Sequence, residues 1–290
     1  MSSRLDAAVQ RQPALAPAAA SLRALLAAMH AVVVRLPSGV PSEDAARARL
    51  HGGVAALVGE PLLDGATLLA NLQAMSARLR EEAERHGQDA LGAVSAVAAA
   101  LGAGGTHEAR HHAHHEAQTD VNALADAALA GDWESVLAAA PRLDVDEYAL
   151  VAALDYAARP VLRAAAARVS ALVADARWER GTCPACGAPP LLAELRGKAG
   201  GRVLRCGRCA SAWPFPRLGC PACGEHDHRR LGALHGEGEE DYRRAEYCAS
   251  CRSYLKTVAV LDALTPDGVI EEDLATAALD LAAVERGYHR

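Results

Sequence analysis

The sequence predicts a multidomain α plus small β protein: an all-α N-terminal domain, two small metal-holding modules and a closing C-terminal helix. Three observations predict it. All eight cysteines fall between Cys183 and Cys251, as four CxxC pairs: Cys183/Cys186, Cys206/Cys209, Cys220/Cys223 and Cys248/Cys251. Apolar residues make up 51% of the chain but aromatics only 3%. Alanine and leucine therefore carry the apolar share, and both favour helix. Near residue 180 the texture changes, with more glycine and a gathering of Trp178, Trp213, Phe215, Tyr242, Tyr247 and Tyr254.

The cysteine pairs carry the chemistry. Two read CPACG, and glycine stands beside a cysteine in three (Gly187, Gly207, Gly224). Such a turn is a knuckle, whose inner N–H groups can point at the first thiolate while glycine accepts the positive φ that closes it. Two facing knuckles make a tetrahedral cage of four sulfurs, suited to Zn²⁺ or a single iron. The gaps, residues 187–205 and 224–247, each have room for a β-hairpin that returns its ends to one place. Sequential pairing is the expectation, giving two zinc-ribbon or rubredoxin-like modules at 181–219 and 220–290 behind a helical domain at 1–180. Crossed pairing requires interleaved modules. A disulfide framework needs an oxidising compartment, and Met1–Arg11 carries Arg4, Asp6 and Arg11 with no apolar core, unlike a secretory signal. A thioredoxin-like CxxC occurs once, at a helix start.

Charge and hydropathy narrow the class further. The net charge of −6 argues against general affinity for nucleic acid or anionic membranes. It is uneven: residues 1–180 hold 16 basic and 21 acidic side chains, residues 181–261 hold 12 and 8. A divalent ion with four thiolates has a formal charge of about −2. Arg196, Lys198, Arg202, Arg205, Arg208 and Arg217 are thus expected to offset the cages. The longest apolar stretch, Ala14 to Leu36, is broken by Pro17, Arg23, His30 and Arg35, and a spanning helix needs about 20 apolar residues. A cytoplasmic protein with no membrane partner is the expectation.

The helical elements follow in order. Residues 1–36 read as one or two helices interrupted near Pro13 and Pro17, with a stripe at Leu22, Leu25, Leu26, Met29 and Val33. Ser42 caps a helix running to about Val58. Residues 64–86 place Leu68, Leu69, Leu72, Met75 and Leu79 inward, and 88–101 form another helix. His107, His111, His112, His114 and His115 follow; i,i+4 histidines can bind a metal, but a solvated helix start explains them as well. Residues 116–130 continue that helix, and 146–178 form a long one around Pro160. Beyond 180, strands are expected at 191–195, 202–205, 230–234, 242–247 and 254–260. Thr265-Pro-Asp-Gly268 reads as a turn before a helix at 271–285, with Glu271, Glu272 and Asp273 opposing its dipole.

The order CPACG, LRCGRCASAW, GCPACG, EYCASCRSYLK, EEDLATAALDLAAVERGY resembles the formate dehydrogenase accessory protein FdhE family over about residues 178–290. The helical part matches it in length and character. The resemblance implies a cytoplasmic assembly factor, not an enzyme, needed for molybdenum- or tungsten-dependent formate dehydrogenase and contacting its catalytic subunit. It also implies rubredoxin-like sites, made here by the eight cysteines. Members have a histidine after the tryptophan that matches Trp213; here Pro214 stands there, so any role of that histidine does not carry over. GxSxG and P-loop motifs are absent from the sequence. Electron transfer through a rubredoxin-like iron is the alternative. Nucleic-acid binding by the basic stretch Leu195–Gly224, with Trp213 and Phe215, is a weaker one. A groove between the modules suits a partner's peptide, with Arg217 as the candidate contact.

Overall fold

The computed structural model describes residues 4–34, 39–86, 92–103, 120–198, 200–236 and 242–290. The chain packs as two compact units. One gathers residues 1–19, 41–58 and 166–290; the other gathers 20–40 and 59–165. The histidine cluster at 107–115 lies outside the described residues.

The second of these units is helical. Helix α4 (Gly65–His86) packs against α5 (Gly92–Ala103) and α6 (Val121–Ala130). Leu68, Leu72, Met75 and Leu79 are fully buried, as the 3.6-residue stripe predicts, while Leu69 lies at its margin. Gly65 approaches Asn122 too closely for a side chain, and its N–H donates to Asn122 Oδ1 at 2.8 Å. The buried Asn71 donates to the Ala157 carbonyl at 2.9 Å. That carbonyl belongs to α9 (Glu147–Asp175), which runs as one helix through Pro160.

The other unit holds the sheet. Six strands lie in the order β3-β2-β1-β6-β5-β4. They are β1 Leu192–Arg196, β2 Gly201–Arg205, β3 Ala212–Pro214, β4 Leu231–His235, β5 Arg243–Cys248 and β6 Tyr254–Val260. Each gap between knuckles holds an antiparallel hairpin, β1–β2 and β4–β5. A third strand follows each: β3 on β2, and β6 on β5. The two sets join through a parallel pairing, β1 with β6. Both cysteine modules thus share a continuous sheet.

One face of that sheet is covered by α10 (Pro266–Ala275) and α11 (Ala277–Glu285). Leu192, Val258, Val260 and Val269 form one apolar cluster; Ala245, Tyr254, Leu279 and Ala283 form another. Helix α1 (Arg4–Arg11) packs on α10.

Several expectations change here. The helix capped by Ser42, whose Oγ accepts from Ala45 N–H at 3.3 Å, ends at His51 because Gly52 and Gly53 follow, Gly53 at φ 71°. Val33 lies beyond the end of α2 (Ala16–His30) and is 84% exposed. Thr265-Pro-Asp-Gly268 is the start of α10: Thr265 Oγ1 accepts from Gly268 N–H at 3.0 Å, with proline in the first turn. The closing helix is therefore two helices, parted at Thr276, whose hydroxyl donates back to Glu272 O at 2.7 Å. Glu272 and Asp273 do not serve a dipole. Glu272 is fully buried, paired with Arg243 at 2.7 Å, and Asp273 pairs with the buried Lys256 at 2.8 Å. Strand β3 has three residues, below what alternation can reveal.

Candidate metal centres

The cysteines meet as two groups, Cys183/Cys186/Cys206/Cys209 and Cys220/Cys223/Cys248/Cys251, with the sulfurs of each group within 4.8 Å of one another. This is the sequential pairing of knuckles. Cys183 and Cys209 sulfurs are 3.5 Å apart, Cys186 and Cys206 3.6 Å, Cys220 and Cys251 3.6 Å, Cys223 and Cys248 3.7 Å. A tetrahedral ion with metal–sulfur bonds of about 2.3 Å holds its sulfurs about 3.8 Å apart. Disulfide sulfurs would stand about 2.05 Å apart. The donor sets and their spacing therefore suit metal ions.

All four knuckles have the same backbone. Four residues after each leading cysteine the chain turns left-handed: Gly187 at φ 79°, Ala210 at 65°, Gly224 at 76°, Arg252 at 63°. Glycine takes that position only after the two CPACG knuckles. Gly207 is not a left-handed residue; it lies under Leu191, where a side chain would collide. The turn holds Ala210 and Arg252 in an unfavourable region because the ladder around each knuckle fixes it. Cys206 N–H donates to Ser211 O and Cys248 N–H to Ser253 O, each at 2.9 Å.

The two groups form a tandem repeat: a CPACG knuckle, a hairpin, a CxxCxS knuckle and a strand. The serine is the part that the pattern of cysteines hides. Ser211 Oγ lies 3.1 Å from Cys209 Sγ, and Ser253 Oγ lies 3.0 Å from Cys251 Sγ and 3.5 Å from Cys220 Sγ. CGRCAS and CASCRS carry this signal in the sequence.

The first cage is enclosed and the second is not. Cys183, Cys186, Cys206 and Cys209 are all buried, whereas Cys223 is exposed and Cys251 half-exposed. The first knuckle is sealed by residues 55–58. Ala56 and Leu57 N–H groups donate to Pro184 O at 2.8 Å and Ala185 O at 2.9 Å, and Val58 rests on Gly187. In the third knuckle the equivalent Pro221 and Ala222 are partly or fully exposed.

Protonation is asymmetric within each cage. Burial pushes the Cys183 thiol well up, while donation from Cys183, Cys186 and Cys209 holds Cys206 well below the ordinary thiol range. In the second cage desolvation pushes Cys223 up to about 12. Against the same push, the Ser253 hydroxyl and N–H bring Cys251 down to about 6. A thiolate thus stands ready at Cys251, and metal binding releases the protons that remain on the other sulfurs.

The neighbouring cations are only partly where charge balance put them. Arg205 and Arg196 both pair with the fully buried Glu194. Arg217 is exposed and donates to Gly200 O at 3.3 Å. A cavity of about 610 Å³ lies between the lead-in to the first knuckle and the third, lined by Arg180, Thr182, Phe215, Pro216, Pro221 and His226 among others. Arg217 does not line it. Trp213 is buried on β3 and donates to Arg180 O at 3.2 Å.

Residues 218–290, from the lead-in of the third knuckle to α11 and the tail, match the family model described as FdhE, C-terminal domain. The match is to FdhE proteins. A protein FdhE homolog of Stutzerimonas stutzeri is 39% identical over 118 residues, 39% of this chain and 37% of that protein. One of Pseudomonas aeruginosa is 39% identical over 117 residues, 38% of each. The chain thus spans less than two fifths of the length of these relatives. The likeness in structure reaches further. The crystal structure of the FdhE protein from Pseudomonas aeruginosa superposes with a TM-score of 0.63 at 27% identity, covering 99% of this chain and 90% of that one. The resemblance of the sequence to FdhE is borne out. Among the described residues no helix is long and apolar enough to cross a membrane.

Proposed function

We propose that this chain is an FdhE-type accessory protein, not an enzyme. It works in the cytoplasm on molybdenum- or tungsten-dependent formate dehydrogenase and binds the catalytic subunit. The observation that carries the reading is the pair of tetracysteine cages on one sheet, within a chain that resembles an FdhE crystal structure over nearly its whole length. Cys183, Cys186, Cys206 and Cys209 hold one ion, and Cys220, Cys223, Cys248 and Cys251 hold the other; each is iron or zinc. A four-thiolate ion has no open position for water, so its contribution is structural or redox rather than hydrolytic. Arg217, exposed between the two cysteine modules, is the candidate client contact.

The test is capture of the cognate catalytic subunit together with formate dehydrogenase activity in a deletion strain. Capture by the wild type, weakened in Arg217→Ala, and activity lost on deletion support the reading. Unchanged activity after deletion removes it. Elemental analysis of protein purified without added metal is expected to give two equivalents. A second reading, electron transfer through iron, is favoured by the open side of the second cage and by the Ser253 hydroxyl at its sulfurs, since hydrogen bonds and exposure set such potentials. Protein that stays colourless after iron reconstitution counts against it.

A further inference from the structure

Arg202 lies on β2, inside the repeat that builds the first cage, yet its partners stand on the approach to the second cage. Nη1 donates to the Gly219 carbonyl at 2.8 Å, immediately before Cys220, and to Pro216 O at 3.2 Å. Nη2 pairs at 2.9 Å with Glu246, two residues before Cys248, and the Arg202 side chain is 2% exposed. The guanidinium lies 5.7 Å from the Phe215 ring centroid. One planar fork thus grips the approach to both knuckles of the second cage. The corresponding residue of the second repeat is Arg244, which like Arg202 stands four residues before the leading cysteine of a CxxCxS knuckle. Arg244 bonds Glu246 on its own strand.

We infer that Arg202 is a positioning residue for the second metal centre, so that the hold of Cys220, Cys223, Cys248 and Cys251 on their ion depends on the fold of the first repeat. The physical reason is reach and rigidity. The second cage is open on the side of Cys223 and Cys251, and residues 215–219, which lead into it, form no helix or strand. A buried fork bound to two carbonyls and a carboxylate fixes that approach. Lysine keeps the charge but cannot hold three acceptors in one plane. Groups that orient metal ligands change affinity by about 10–100-fold when removed.

The inference rests on the reading of the cages as metal centres. The test uses the full chain loaded with Zn²⁺ and challenged with a chelator, with released zinc followed in time. Alkylation and mass spectrometry show which cysteines open in each phase. In Arg202→Met the phase that exposes Cys220, Cys223, Cys248 and Cys251 is expected to quicken about tenfold or more, with the phase of Cys183, Cys186, Cys206 and Cys209 unchanged. Arg202→Lys and Glu246→Gln are expected to fall between, and they keep the question answerable should Arg202→Met not fold. Lys198→Met, an exposed cation of the same repeat, is expected to alter neither phase. An unchanged second-cage phase in Arg202→Lys and Glu246→Gln, or equal acceleration of both cages, overturns the inference. A wild type that binds no zinc overturns instead the reading on which it rests.

Discussion

The two cages are built from one plan and finished differently. Each joins a CPACG knuckle to a CxxCxS knuckle through a hairpin, and cross-cage sulfur distances agree within 0.2 Å. The first is shut by a segment from far away in the chain, residues 55–58, which caps its knuckle with two backbone hydrogen bonds. The second leaves Cys223 exposed. The geometry of the four sulfurs is therefore a local property of the motif, whereas access to them is a property of what packs on them. Burial of all four sulfurs suits an ion that holds a fold. An open edge suits one that exchanges, senses or meets a partner.

Removing one ligand from each cage should separate these roles most strongly. Structural zinc contributes an apparent 10–16 kcal/mol or so, comparable to the roughly 5–15 kcal/mol stability of a whole domain. Cys183→Ser is expected to abolish cooperative melting of the sheet unit, read by circular dichroism. Cys223→Ser is expected to keep it and to retain one ion by elemental analysis. Loss of folding in both variants would mean that the two cages are equally structural.

Chemical reactivity sharpens the contrast within the second cage. In metal-stripped protein at pH 7, Cys251, brought down to about 6, is a thiolate, whereas Cys223, pushed up to about 12, is a thiol. Thiolate fraction outweighs the weaker intrinsic nucleophilicity of the more acidic group, leaving an advantage of about a hundredfold. Alkylation followed by mass spectrometry should find Cys251 modified first, although Cys223 is the more exposed. The reverse order would show that access, not protonation, governs this edge.

Opening the seal of the first cage should bring it nearer to the second. Ala56→Pro deletes the N–H that donates to Pro184 O. An unsatisfied buried carbonyl costs about 1–3 kcal/mol, so zinc release from the first cage is expected to quicken about tenfold while that of the second is unchanged. The smallest difference concerns the serines. Ser253 touches two sulfurs and Ser211 one. Ser253→Ala is expected to change release from its cage by a few-fold, at about 0.5–1.5 kcal/mol for a hydrogen bond. Ser211→Ala should have the lesser effect, measured by the same chelator assay.

The cages, their pairing and the two hairpins were legible in the sequence because each depends on neighbours in the chain. A CxxC turn closes over a few residues, and a gap of 19 or 24 residues returns on itself as a hairpin. The buried stripe of α4 was legible for the same reason, a period of 3.6 residues. The start of α10 was misread because Thr-Pro-Asp-Gly serves a turn and a helix cap alike, and only the hydrogen bond from Gly268 to Thr265 tells them apart. Glu272 and Asp273 looked like surface acids at a helix start. Their partners, Arg243 and Lys256, lie 29 and 17 residues away and meet them only across the packed sheet.

By itself, then, the chain's order of residues determined which atoms can bind a metal and that sequential pairing of the knuckles was to be expected, since these follow from short loops with few closures. The tertiary structure alone decided which centre is sealed, which stays open, and that Arg202 of one repeat grips the approach to the other. Those outcomes rest on contacts between segments far apart in the chain, whose meeting depends on the joining of β1 to β6 and the burial of charge between them, and no local pattern encodes that.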